Sequence, residues 1–147
     1  MSKIKRQNNE NLDVMTFGCR LNAYESEVIK KNKYVKSKTM VFNTCAVTSE
    51  AERQARQAVR KFKKEQPNSR VVVTGCSAQL NPKSWFDMSE VSSVIGNREK
   101  LKENIFLEGQ PLFQVDDIMK VQENTSHMLH AFNNRARAFI EIQNGCN

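Results

Sequence analysis

Three cysteines share one local setting: Val-Met-Thr-Phe-Gly precedes Cys19, Met-Val-Phe-Asn-Thr precedes Cys45 and Val-Val-Val-Thr-Gly precedes Cys76. Each follows an apolar, strand-forming run and a small or turn-forming residue. No stretch of the 147 residues approaches the roughly 18 uninterrupted apolar positions of a membrane span. Residues 1–11 are polar and basic, unlike a secretory signal. The expectation is therefore a cytoplasmic chain without a membrane partner, in a compartment that keeps thiols reduced, so that disulfides give way to metal ligation, catalysis or burial. A lone free cysteine at a strand end is usually just a buried one. The threefold repetition of one placement is what points to a metal.

The separations are 45 − 19 = 26 and 76 − 45 = 31 residues, the length of one strand-helix crossover each. In a parallel sheet all carboxyl ends lie along one edge, where open α/β sheets place their ligands. Neighbouring strands there are about 4.8 Å apart, so thiolates on adjacent loops are able to meet on one inorganic centre. Two metals suit such a donor set. Zinc takes thiolates and imidazoles, and His127 and His130 are at hand, though they lie in linker-like text and read as ordinary surface residues. A 4Fe-4S cluster held by three cysteines fits better, because it leaves one iron open for chemistry.

The elements that must position these thiols follow from periodicity. Strands are expected at 12–17, 38–43, 70–74 and 91–95, with a further one possible at 112–118. Helices are expected at 22–32, at 49–65 and from Asn97 onward, where Leu101 and Ile105 share a face, with a short one at Asn81-Pro82. The helix over 49–65 is the clearest. Ala51, Ala55, Ala58, Val59 and Phe62 form its inward stripe. Ser49 and Glu52 have capping-box spacing, and Pro67 stops it. Strands alternating with such helices imply right-handed crossovers and an α/β, Rossmann- or flavodoxin-like three-layer domain, with a mostly parallel sheet and helices on both faces. That domain covers 12–107, after a polar tail at 1–11. A linker follows at 108–136, and an orphan strand-like run at 137–147 reads as the opening of a further domain.

Lys and Arg outnumber Asp and Glu by 23 to 16, a net charge of +7 that favours polyanionic partners. Arg53, Arg56, Arg60 and Lys63 recur on the helix face opposite the apolar stripe, a row suited to phosphates. A solvated face with Lys61, Lys63 and Lys64 at the helix C-terminus explains the same residues slightly better.

Three anchored motifs resemble the N-terminal domain of the radical S-adenosylmethionine methylthiotransferases. They are Thr16-Phe-Gly-Cys-Arg-Leu-Asn22 with Tyr24-Glu-Ser26, then Asn43-Thr-Cys-Ala-Val-Thr48 with Glu50-Ala-Glu-Arg53, then Val73-Thr-Gly-Cys-Ser-Ala-Gln79. The resemblance covers 12–107 and resumes at 137–147, while the stretch from Tyr24 to Met40 is shorter than is usual in the family. Of the branches acting on isopentenyladenosine, on threonylcarbamoyladenosine or on a ribosomal-protein aspartate, the threonylcarbamoyladenosine one is the most similar.

The resemblance implies that Cys19, Cys45 and Cys76 hold an auxiliary 4Fe-4S cluster that delivers sulphur. It implies that Cys146, in Ile142-Gln-Asn-Gly-Cys146-Asn147, is the first ligand of a second, radical-generating cluster. That cluster's remaining ligands and the S-adenosylmethionine site belong to a domain outside these residues or to a separate radical-domain polypeptide. The implied reaction adds a methylthio group to the adenosine just 3′ of the anticodon, with tRNA as substrate, weakly bound through this domain. By themselves the 147 residues are expected to be inactive. The alternative is a non-catalytic iron-sulphur or zinc-binding module.

Overall fold

Runs of β-branched residues, Val-Val-Val at 71–73 above all, favour extended chain, and the computed structural model places them at the centre of one sheet. The structure describes residues 11–31, 35–102, 104–109 and 113–116. Five parallel strands run in chain order across the sheet: β1 (Leu12–Thr16), β2 (Thr39–Thr44), β3 (Arg70–Gly75), β4 (Ser93–Ile95) and β5 (Phe113–Gln114). Helices α1 (Arg20–Ile29), α2 (Ser49–Glu65), α3 (Cys76–Leu80) and α4 (Pro82–Phe86) connect them, with a 3₁₀ turn at Glu99–Leu101 after β4. The expected α/β class, with a parallel sheet covered on both faces, is the one observed. No helix among the described residues is long and apolar enough to cross a membrane.

Register sorts side chains between two faces. Val14, Val41 and Val72 are partners across β1, β2 and β3, and pack with Leu12, Ile29 of α1, Ile95 and Phe106. Phe42, Val73 and Val94 are partners on the other face, where Ala55, Val59 and Phe62 of α2 and Trp85 of α4 cover them. Each of these large apolar side chains contributes about 1.5–3 kcal/mol by leaving water. α1 thus lies on one face and α2 on the other, although both crossovers step the same way across the sheet. The two crossovers are of opposite hand, against the expectation that all are right-handed. Beside the apolar contact of Ile29, polar contacts bind α1 to its face: Ser26 and the Asn22 carbonyl accept from Asn43 of β2.

Several boundaries differ from expectation for identifiable reasons. α1 begins at Arg20 rather than Asn22, because the Asn22 side chain turns inward to strand-end carbonyls instead of capping a helix. α2 is capped by Thr48, whose Oγ1 accepts from the Ala51 N–H, while Glu52 pairs with Arg56; the capping-box reading at Ser49 was one residue late. The helix expected from Asn97 shrinks to the 3₁₀ turn, since Asn97 serves a lysine and a cysteine rather than a helix end. α3, starting on Cys76 itself, was not foreseen. The added strand expected near 112–118 appears as Phe113–Gln114, so the sheet continues past residue 107. The run at 137–147 lies outside the described residues.

Candidate metal centre

β1, β2 and β3 are consecutive in the sheet, and one cysteine stands beyond the carboxyl end of each. Cys19 is exposed at the N-cap of α1, Cys45 is buried directly after β2, and Cys76 is half-buried as the first residue of α3. All three are free thiols.

Two glycines bring their turns together. Gly18 has φ +95°, and a Cβ built there would overlap Cβ and Sγ of Cys45, so the turn leading to Cys19 lies directly on the second cysteine. Gly75 has φ +99°, and a Cβ there would overlap the Thr44 backbone and stand 2.8 Å from Asn43 Oδ1. The turn leading to Cys76 therefore lies on the residue before Cys45. Only glycine tolerates both the dihedral and the closeness.

A buried polar network fixes the same strand ends. Asn22 Nδ2 donates to the carbonyls of Phe17 at 2.8 Å and Thr44 at 2.9 Å, tying the first cysteine turn to the second. Asn43 Nδ2 donates to Asn22 O at 3.0 Å and Ser26 Oγ at 3.1 Å, and Thr16 Oγ1 donates to Ser26 Oγ at 2.7 Å. Thr44 Oγ1 donates to Thr74 O at 2.6 Å and accepts from the Ala78 N–H at 3.3 Å, tying the second turn to the third. Two donors face the sulphurs. The Val47 N–H lies 3.5 Å from Cys45 Sγ and Asn97 Nδ2 lies 3.9 Å from Cys76 Sγ.

Among the described residues no three His, Cys, Asp or Glu side chains already meet at a metal-sized point. Sharing one centre requires the thiols to turn toward each other. The donor set nevertheless fits a 4Fe-4S cluster in kind and placement. It offers three thiols on three packed turns, with N–H groups beside two of the sulphurs, the type of contact that stabilises thiolate charge in such clusters.

Beside Cys76 the site carries buried charge. Lys100 pairs with Glu25 of α1, and both are nearly inaccessible. Glu99 is also buried, with neither carboxyl oxygen hydrogen-bonded among the described residues, and burial raises its pKa, reinforced by the Asp116 carboxylate.

The basic row on α2 is largely committed within the chain. Arg53 forms a two-pronged pair with Glu50, at 2.7 and 2.8 Å, whose pKa its hydrogen bonds and those of Gln54 lower to about 2. Arg56 pairs with Glu52, donates to Ser84 Oγ and lies 4.2 Å over the Trp85 ring. Lys63 donates to Ser69 O at 2.8 Å. Among the described residues Arg60 has no partner. Cys146, His127 and His130 lie outside the described residues.

Sequence reasoning missed Asn97, Lys100 and the roles of Asn22, Glu25, Asn43 and Thr44. The signal for four of these was present: Asn22, Glu25, Asn43 and Thr44 all fall inside the motif text around the first two cysteines.

Residues 11–96 match the model of a family described as Uncharacterized protein family UPF0004. The chain is 50% identical over 148 residues to the threonylcarbamoyladenosine tRNA methylthiotransferase MtaB of Rickettsia prowazekii, an alignment covering 99% of this chain and 35% of that protein. It is 33% identical over 147 residues to the MtaB of Bacillus subtilis, covering 90% and 33%. It is 31% identical over 141 residues to a putative methylthiotransferase of Helicobacter pylori, covering 89% and 33%. The chain spans about a third of the length of the curated relatives it matches.

Proposed function

The chain belongs to the uncharacterized protein family UPF0004, and from that membership we propose that it is the cluster-holding part of a tRNA threonylcarbamoyladenosine methylthiotransferase. One observation carries the reading: three cysteines stand at the ends of three adjacent parallel strands, with Gly18 packed on Cys45 and Gly75 on Thr44. When bound, the 4Fe-4S cluster supplies the sulphur of the methylthio group. Cys19, Cys45 and Cys76 would hold it. Asn22 and Thr44 keep the three turns in place, and the N–H groups of Val47 and Asn97 offset negative charge on the sulphurs. The exposed Cys19 faces solvent, where a substrate nucleoside approaches.

Radical generation belongs to a second cluster, of which Cys146 is the first ligand, and to S-adenosylmethionine bound by a further domain or a separate polypeptide. The substrate is tRNA, and Arg53, Arg56, Arg60 and Lys63 contribute sequence-indifferent phosphate contact. These 147 residues alone carry one cysteine of the radical trio. They are expected to bind the auxiliary cluster yet to form no 5′-deoxyadenosine.

Anaerobic reconstitution with iron and sulphide tests the reading. The expected outcome is about four irons per chain and a broad charge-transfer band in the violet. Cys19→Ala, Cys45→Ala and Cys76→Ala should each abolish the band, and Cys146→Ala should leave it. A chain that takes up one zinc and no iron under these conditions refutes the cluster.

A further inference from the structure

Glu25 and Lys100 lie 75 positions apart, and Lys100 Nζ donates to Glu25 Oε2 in an interior where the two residues are 1% and 4% exposed for lysine and glutamate respectively. A buried ion pair adds little net stability, because desolvating both charges offsets their attraction. Its geometry points to another use. The same Lys100 Nζ donates to Asn97 Oδ1 at 2.8 Å. An ammonium has three donors and no acceptor, so it admits only the oxygen of the Asn97 amide on its side. That orientation turns Asn97 Nδ2 toward Cys76 Sγ, 3.9 Å away. The Asn97 backbone is held as well, its N–H donating to Gln79 Oε1 of α3 at 2.9 Å.

We infer that Glu25, Lys100 and Asn97 form a positioning relay that presents an N–H donor to the Cys76 sulphur, and so set the reduction potential of the cluster. The inference rests on the cluster reading above. Reduction adds negative charge to a cluster, and hydrogen bonds to its sulphurs favour the reduced form. The relay also joins α1, which Cys19 caps, to the loop after β4, so that the first and third ligands share one buried anchor. Asn97 is a positioning residue here, acting through Cys76.

The test compares the reconstituted parent with Asn97→Leu, which removes the donor at similar size, and with Glu25→Leu/Lys100→Met, which removes the anchor without leaving a lone buried charge. Iron content, melting temperature and the midpoint potential from a dithionite titration followed by electron paramagnetic resonance are measured on each. Both variants are expected to keep their iron while the reduced-to-oxidised ratio at a fixed potential falls about tenfold, or ~59 mV for one electron. Parental potential in an iron-loaded Asn97→Leu overturns the relay and leaves the cluster reading standing. Should Asn97→Leu lose its iron, parental potential in the double variant overturns it equally. A parent that takes up no iron refutes the cluster reading, and the relay with it.

Discussion

Ala at Gly75 and Ala at Gly109 place a methyl group on two backbones that both have positive φ, +99° and +85°, yet the outcomes should differ widely. Gly75 has ψ −172°, a region essentially reserved for glycine, and forcing another residue there costs about 1–3 kcal/mol. Its added methyl would also stand 2.5 Å from Thr44 N and 2.8 Å from Asn43 Oδ1, on a strand locked in register between two neighbours. A central strand does not yield cheaply, so overpacking adds about 1–3 kcal/mol more. The sum, about 2–6 kcal/mol, is a large part of the ~5–15 kcal/mol that holds a domain folded. At Gly109 nothing among the described residues lies within 4 Å, leaving only the backbone cost of about 1–2 kcal/mol. At ~4–8 °C per kcal/mol for a domain of this size, Gly75→Ala should melt at least ~8 °C below the parent and clearly below Gly109→Ala. Circular dichroism melts read the stability. Iron uptake reads the site, and should fall in Gly75→Ala, because the turn that strains is the one carrying Cys76, while Gly109→Ala loads as the parent does. Equal melting temperatures and equal iron content in the two variants would refute the claim that close packing at Gly75 sets the third ligand.

Asn22→Ala removes the donor shared by the Phe17 and Thr44 carbonyls and should cost about 2–4 kcal/mol in urea unfolding; an unchanged midpoint would show that the clamp is idle. Glu99 has a raised pKa, so the native state retains a proton that the unfolded chain releases above its ordinary value near 4.5. Its favourable contribution is present below that pH and lost as pH rises through the raised native value. As pH rises above 4.5 the parent should therefore lose more stability than Glu99→Gln, and superimposable pH profiles would refute the assignment. Replacing Arg53, Arg56 and Arg60 together by Gln should weaken tRNA binding and flatten its salt slope by about 1–3 units in a filter-binding series. If the triple variant binds as the parent does, that helix face is only solvated.

Local pattern was enough to expose the strands, the long helix α2 and the placement of the three cysteines, because alternation, helical spacing and a small residue before each thiol are short-range properties. It also revealed that the sheet is parallel, since each strand is followed by a crossover of helical length. What it did not contain was which groups meet across the sheet. Asn97 reads as a helix cap in any window of sequence, yet the arrival of Lys100 and Cys76 at its side chain gives it a different task. Nothing local links Glu25 to Lys100, 75 positions away, and burial with one another makes them a pair. The basic row of α2 is periodic enough to suggest phosphates, while Glu50, Glu52 and Ser69 claim three of its four members. Side-chain periodicity reports only which face a residue occupies. Partners 20 to 75 positions away are chosen when tertiary packing removes water and every buried donor or charge must find a complement, a condition that no local stretch of chain is able to state.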